Sequence, residues 1–270
     1  MKIYILGSNG MLGRYIYKYF SELGGGYSVV GITRKELDVL NLREDEIVSS
    51  LYHIGIREKD IIINCIGMIK QRTDINDIDF IYINSIFPRL LSNICEKIDV
   101  KLIHPTTDCV FDGLKGNYNE NDLHNATDVY GKTKSLGEPN NCTVIRTSII
   151  GEEIGQARSL VEWVKSNAGK TIKGYTNHHW NGITCLQFAK ICHNIIDNNL
   201  FWNGVKNIFS PTPLTKYELV YMISEIYDLN IDIEPFETDI KCDRTLSTIY
   251  EQPFQIPEIY NQVKDMKKFN

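Results

Sequence analysis

Tyr130 and Lys134 stand four apart in Y-G-K-T-K. On a helix such a pair shares one face, with Cβ atoms about 5–6 Å apart. An ammonium beside a phenol favours the phenolate, and a partly deprotonated tyrosine can exchange a proton with a carbonyl or an alcohol. Upstream, T-T-D-C-V-F-D-G runs from Thr106 to Gly113. Thr107, just past an apolar run, is placed to hydrogen-bond the same oxygen. The set suits hydride transfer between a C=O and a CH–OH. Alone, a Tyr/Lys pair at this spacing is common on exposed helices. It gains meaning only if the chain also holds a dinucleotide.

The start of the chain supplies that. M-K-I-Y-I-L-G-S-N-G-M-L-G is a short apolar strand, then Gly7, Gly10 and Gly13, then a segment in which Leu12, Ile16 and Phe20 recur at helical spacing. Gly7 allows a tight turn, Gly10 lets backbone approach a pyrophosphate, and Gly13 allows close helix–strand packing; the helix N-terminus adds amides and a positive dipole end. Asn9 and Met11 complete the expected cofactor loop. The alternative is a Gly-rich turn without a ligand. The second apolar run ends in Thr33-Arg34-Lys35. An acidic residue there would suit NAD, whereas Arg34 with Thr33 suits the 2′-phosphate of NADP(H). The plainer reading is ordinary surface charge in a loop.

These residues need a frame. Apolar runs at Ile3–Leu6, Tyr27–Thr33, Asp60–Asn64, Lys101–Pro105 and Thr143–Arg146 alternate with helical stretches. That rhythm implies right-handed crossovers, hence an α/β chain with a Rossmann-type, doubly wound parallel sheet. Ligands then sit beyond the C-terminal strand ends, where every motif above falls. Gly24, Gly25 and Gly26 form a turn before the second strand. After about Gly151 the rhythm fades, with helices expected at Leu160–Ser166, Leu186–Ile196 and Lys216–Tyr227 and an irregular end from Lys241. The expected division is residues 1–150 for the dinucleotide and 151–270 mainly a smaller C-terminal substrate lobe, with some interleaving.

Composition narrows the function. The 270 residues, 43% hydrophobic, can bury a substantial core. A net charge of −5 argues against a nucleic-acid or membrane-surface role, since both need a basic face. No run approaches the ~18 apolar residues of a spanning helix, and the chain enters its first strand with no signal-peptide pattern. Seven cysteines without a C-x-x-C pair read as reduced thiols. A cytoplasmic location is the expectation. Six scattered histidines show no zinc spacing, so no metal is expected.

Taken together, G-S-N-G-M-L-G, I-N-C-I-G ending at Gly67, Asn84 in Y-I-N-S, T-T-D-C-V-F-D-G, Y-G-K-T-K-S-L-G-E, V-I-R-T-S ending at Ser148 and N-G-I-T ending at Thr184 span nearly the whole chain. The ensemble resembles the extended short-chain dehydrogenase/reductase superfamily, and within it the dTDP-4-dehydrorhamnose reductase group of sugar-nucleotide-modifying enzymes. The resemblance implies NADPH-dependent reduction of the 4-keto group of a nucleoside-diphosphate 4-keto-6-deoxyhexose. Tyr130 would be the proton donor, Thr107 its partner, and Lys134 the holder of the nicotinamide ribose and depressor of the tyrosine pKa. It sets Asp38 and Val39 beside the adenine and Cys65, Ile66 and Gly67 on the cofactor's other side. Lys70 and Gln71 would meet the sugar, and His178, His179, Trp180, Asn181 and Arg244 would serve the substrate lobe. Trp180 would stack on the base and Arg244 would meet the diphosphate, although a core tryptophan and a surface ion pair are the plainer alternatives.

Two positions depart from that group. Cys109 and Ile149 stand where rhamnose reductases commonly carry a tyrosine and a tryptophan. A cysteine two residues after the catalytic hydroxyl also resembles the bifunctional epimerase/reductases, which implies proton exchange at C3 by a partly ionised thiol. The plainer role for Cys109 is filling a small apolar gap. A second acid/base would then be needed across the sugar, and His178, His179 and Lys165 are the candidates. Two other functions share the fold: an epimerase or dehydratase that retains NAD, and a non-catalytic regulatory subunit, as for methionine adenosyltransferase. The T-D-C sequence, where dehydratases carry T-D-E, weighs against a dehydratase. The intact Thr107, Tyr130 and Lys134 set weighs against a scaffold. The nucleotide, the C2 substituent and the oligomeric state stay open, a homodimer included.

Overall fold

The computed structural model describes residues 1–24, 26–70, 76–155 and 159–270; Gly25 and Gln71 lie outside them. β1 (Lys2–Leu6) leads to α1 (Met11–Glu22), β2 (Ser28–Ile32) to α2 (Glu44–His53), and β3 (Ile61–Asn64) to α3 (Asp77–Ile81). A wide π turn, Tyr82–Ile86, joins α3 to α4 (Phe87–Lys97). β4 (Lys101–Thr106), α5 (Val129–Leu136) and β5 (Thr143–Arg146) follow. The second half runs through β6 (Ile149–Ile150), α6 (Leu160–Ser166), β7 (Thr171–Tyr175), β8 (His178–Trp180) and β9 (Ile183–Thr184). It continues with α7 (Cys185–Asp197), β10 (Gly204–Asn207), β11 (Leu214–Thr215) and α8 (Lys216–Tyr227). β12 (Asp232–Phe236), β13 (Cys242–Asp243) and α9 (Ile259–Phe269) close the chain.

The main sheet has six strands in the order β2-β1-β3-β4-β5-β10, every neighbouring pair parallel. Both faces are covered, so the inner strands are apolar throughout instead of alternating. Period two still decides which residue meets which helix layer. Tyr4, Leu6 and Ile62 join Ile47, Leu51, Phe87 and Leu91 of α2 and α4. Ile3, Ile5, Ile61 and Ile63 join Ile16, Phe20, Phe188, Ile191 and Ile195 of α1 and α7. Each such side chain contributes about 1.5–3 kcal/mol by leaving water. The strand order reverses between β1 and β3, which opens a crevice at their C-terminal ends.

A third cluster forms where Val161 and Val164 of α6 meet Leu219 and Ile223 of α8 and Val263 and Met266 of α9, and it takes in Tyr15 of α1. The helix α9 corrects the expectation of an irregular end from Lys241: Ile259, Val263 and Met266 recur at helical spacing and are buried. The segment Cys185–Asn207 returns α7 and β10 to the first layer. Among the described residues no helix is long and apolar enough to cross a membrane.

Candidate active site

The β1–α1 turn is built by backbone proximity. Gly7 has φ +75°, a conformation that glycine adopts without strain, and its N–H donates to the Ile32 carbonyl across the sheet. A Cβ at Gly13 would overlap the Gly7 carbonyl, so α1 is drawn tight against the turn. Gly10 caps α1 with no side-chain hydrogen bond, and no acidic residue occupies the first helical turn. The opening amides of α1 therefore suit an anion such as a pyrophosphate.

This turn shares one cleft of about 780 Å³ with the other candidates. Gly7, Asn9, Gly10 and Met11 line it from the first turn, and Thr33, Arg34, Asp38 and Val39 from the end of β2. Cys65, Ile66, Gly67 and Lys70 line it from the end of β3. Arg34 is exposed and only loosely paired, Nε lying 4.0 Å from Asp38 Oδ1. Thr33 gives its amide and hydroxyl to Glu36 Oε2, at 2.9 and 2.6 Å. Its hydroxyl is thus engaged within the turn, a partner that the sequence did not single out. The loop after β3 is clamped from within. Buried Asn84, in the π turn, accepts from Met68 N–H at 2.9 Å and donates to its carbonyl at 3.1 Å. A π turn that aims one buried amide at a neighbouring loop is a recurrent device at functional sites.

The catalytic candidates meet at the C-terminal end of β4. Thr107 caps a short 3-10 turn over Asp108–Val110: its Oγ1 accepts from Cys109 N–H at 3.1 Å and donates to Asp108 Oδ1 at 3.0 Å. α5 starts at Asp128, whose carboxylate accepts from Gly131 N–H at 2.8 Å. A Cβ at Gly131 would overlap the Cys109 carbonyl, so α5 rests directly on that turn. Half-buried Tyr130 is thereby brought within electrostatic reach of the Thr107 hydroxyl, and both line the cleft. Buried Lys134 reaches Gly67, where an added Cβ would stand 3.0 Å from Nζ. Lys70 ion-pairs with Asp128 at 2.6 Å and lies 5.6 Å from the centre of the Tyr130 ring.

The electrostatics correct two expectations. Burial, then the neighbouring Cys109, push the Tyr130 phenol up; the Thr107 hydroxyl opposes them, and Lys134 is not among the principal influences. The tyrosine is held as a proton donor, not as a phenolate. Lys134 itself is drawn down to about 8 by burial, against Glu138 and Cys65. Burial and then Asp108 push the Cys109 thiol up to about 12, so it is a protonated thiol and not a partly ionised one.

Placement is uneven in the C-terminal lobe. Trp180 lines the cleft. His178, His179, Asn181 and Arg244 do not. β8 is the middle strand of a three-stranded sheet, with His178 Nε2 3.0 Å from Thr238 Oγ1 and His179 exposed. Asn181 holds Leu246 by both main-chain groups, at 2.8 and 2.9 Å. Arg244 gives two donors to the carbonyls of Phe111 and Asp112, at 2.8 and 3.2 Å. Lys165 pairs with Glu152 and Glu162 at 3.0 and 3.2 Å, away from the cleft. Lys216, which the sequence reading passed over, lines the cleft with its ammonium 5.0 Å from the Trp180 ring centre. The signal was present in L-T-K-Y-E, a capping box of Thr215 and Glu218 that fixes Lys216 as the first residue of α8. Cys109 and Ile149, the two departures from rhamnose reductases, both line the cleft. Among the described residues no group of His, Cys, Asp and Glu is arranged to hold a metal ion.

A parallel sheet that gathers a pyrophosphate-type turn and a Thr–Tyr–Lys cluster into one cleft is the layout of the extended short-chain dehydrogenases and reductases, and the chain is of that class. More narrowly, residues 1–170 match the RmlD substrate binding domain model, and the chain belongs to that family. It is 27% identical to methionine adenosyltransferase 2 subunit beta of Xenopus tropicalis, over 83% of this chain and 72% of the relative. It is also 27% identical to the probable low-salt glycan biosynthesis reductase Agl14 of Haloferax volcanii, over 90% of this chain and 85% of that one. The fold matches dTDP-4-dehydrorhamnose reductase of Bacillus anthracis, solved in complex with NADP. That match has a TM-score of 0.80 and 18% identity, covering 99% of this chain and 98% of the other.

Proposed function

We propose that the protein is an NADPH-dependent reductase of the 4-keto group of a nucleoside-diphosphate 4-keto-6-deoxyhexose, coupled to epimerisation at C3, in the making of a deoxysugar nucleotide. The observation that carries this reading is that Thr107, Tyr130 and Lys134 share one cleft with the glycine turn and Arg34. The capless, acid-free start of α1 and the missing Cβ atoms of Gly7, Gly10 and Gly13 fit a dinucleotide pyrophosphate. Arg34 suits a 2′-phosphate, and the Bacillus anthracis relative was solved with NADP. Bound NADPH would supply the hydride. Tyr130 then gives its proton to the C4 oxygen, Thr107 shares that oxygen, and Lys134 holds the ribose next to Gly67. Residues 151–270 mainly enclose the sugar nucleotide, with Lys70 and Trp180 at its edges. Exposed apolar residues on α3, α5 and the π turn, among them Ile78, Ile81, Ile86 and Leu136, support a homodimer through this face.

The test is direct. The protein is incubated with freshly made UDP- and dTDP-linked 4-keto-6-deoxy sugars and NADPH, with NADPH absorbance and product stereochemistry followed. Oxidation of NADPH only when the keto sugar is present is the expected result; its absence with every nucleotide sinks the reading. The similarity to a methionine adenosyltransferase subunit favours a second reading, a regulatory subunit on the same scaffold. That reading predicts altered methionine adenosyltransferase kinetics on mixing and no turnover of any keto sugar.

A further inference from the structure

We infer that Lys216 is the acid/base that faces Cys109 across the sugar, and that the two residues together move the proton at C3. This inference rests on the 4-keto-sugar reading above. Cys109 comes from the turn after β4 and Lys216 from the first residue of α8, so the two lobes each present one proton-carrying group to the same cleft. The residues first considered for this role, His178, His179 and Lys165, do not line it. Among the described residues Lys216 makes no hydrogen bond or ion pair; its ammonium lies over the Trp180 ring. The Nε1 of that ring is itself buried, with no hydrogen-bond partner among the described residues. Lys216 lines the cleft together with Thr107, Asp108 and Cys109, and Asp108, Cys109, Cys242, Arg244 and His178 are among the groups that feel its charge.

The protonation states are complementary. Burial lowers the Lys216 pKa, against Asp108, Cys109 and Cys242, and burial holds Cys109 as the thiol. The amine form of Lys216 takes the proton from C3. The C–H electrons move into the C3–C4 bond, and the carbonyl becomes an enolate next to Tyr130. The S–H bond of Cys109 then delivers a proton to the opposite face of C3. The pair ends as ammonium and thiolate and is reset by proton exchange with water, so no oxidant or reductant is consumed.

The experiment measures deuterium uptake at C3 in D2O without NADPH, using UDP- and dTDP-linked 4-keto-6-deoxy sugars. Wild-type protein is expected to exchange. Lys216→Met should slow exchange by about 10²–10⁴-fold, the usual worth of one positioned acid/base. Lys216→Arg discriminates further, because a guanidinium can hold a diphosphate as an ammonium would but, being always protonated, cannot accept the C3 proton. Loss of exchange in Lys216→Arg, with UDP and dTDP affinity retained, supports the proton-transfer role. Wild-type exchange in either variant overturns it. Exchange per bound complex that is unchanged, with nucleotide affinity lost, also overturns it and makes Lys216 an anchor for the diphosphate. Wild-type protein that reduces without exchanging overturns this inference and leaves the reductase reading; protein that does neither overturns both.

Discussion

The two sides of the cleft are built in different ways. On the sheet side, the glycine turn, the ends of β2 and β3, Thr107, Cys109, Tyr130 and Lys134 all face it. On the other side, of His178, His179, Trp180, Asn181 and Arg244, only Trp180 does. The sheet side is dictated locally. Strand ends converge by topology, and close main-chain contacts at glycines hold each loop against its neighbour, Gly13 on Gly7 and Gly131 on Cys109. The C-terminal side is dictated by packing between distant segments, such as Asn181 on Leu246 and Arg244 on Phe111. There, polar side chains that look like ligand contacts in sequence become parts of the wall. A motif is a reliable guide to a site where backbone geometry is local, and a poor one where it is not.

The contrast can be broken at its strongest point first. Tyr130→Phe keeps the ring and removes the proton donor, and should cost about 10²–10⁴-fold in turnover of the keto sugar. Near wild-type turnover would remove the sheet side's claim to the chemistry. Next, Arg34→Ala should weaken NADPH binding by about 1.5–3 kcal/mol, the worth of a charge-assisted hydrogen bond, and leave NADH affinity unaltered. Equal loss for both cofactors would make Arg34 a structural residue. Titration by fluorescence quenching would decide between these outcomes.

The remaining two changes probe the C-terminal side. Asn181→Ala leaves the buried Leu246 main chain unpaired and should lower unfolding stability by about 1–3 kcal/mol in denaturant melts. If instead KM rose with stability intact, the side chain would be a substrate ligand after all. His179→Ala should do least, since the residue is exposed; surface changes of this kind fall within about 0.5 kcal/mol. A large kinetic effect would return His179 to the substrate site and narrow the difference between the lobes.

How much of this was legible follows the same division. β1 to β5 were announced by apolar runs that only a two-sided parallel sheet requires, and the observed ends agree to within one residue. α6 and α8 carried clear helical spacing. β10 was not legible: Gly204–Asn207 is a short edge strand, mostly half-buried, with Lys206 in its middle. α9 was legible but passed over, since its Ile259, Val263 and Met266 follow an irregular stretch. In the site, Lys216 was hidden because a lysine at a helix start ordinarily marks a solvated surface. Only the packing of the start of α8 beside β8 brings it to the cleft. The Tyr130 protonation state was misread for a related reason: spacing revealed the nearby ammonium, whereas the dominant influence is burial.

The contact of Gly131 with the Cys109 carbonyl has a consequence for how such an enzyme diversifies. The spacer between Tyr130 and the turn below it is main chain, so the side chain at position 109 is not part of the gauge that sets the tyrosine's height. That side chain can therefore be exchanged, a phenol for the thiol, without moving the main chain on which α5 rests. Gly131, which offers no side chain to any ligand, is the position with no room for change, and Cys109 beside it is where a new reaction can be written into the cleft.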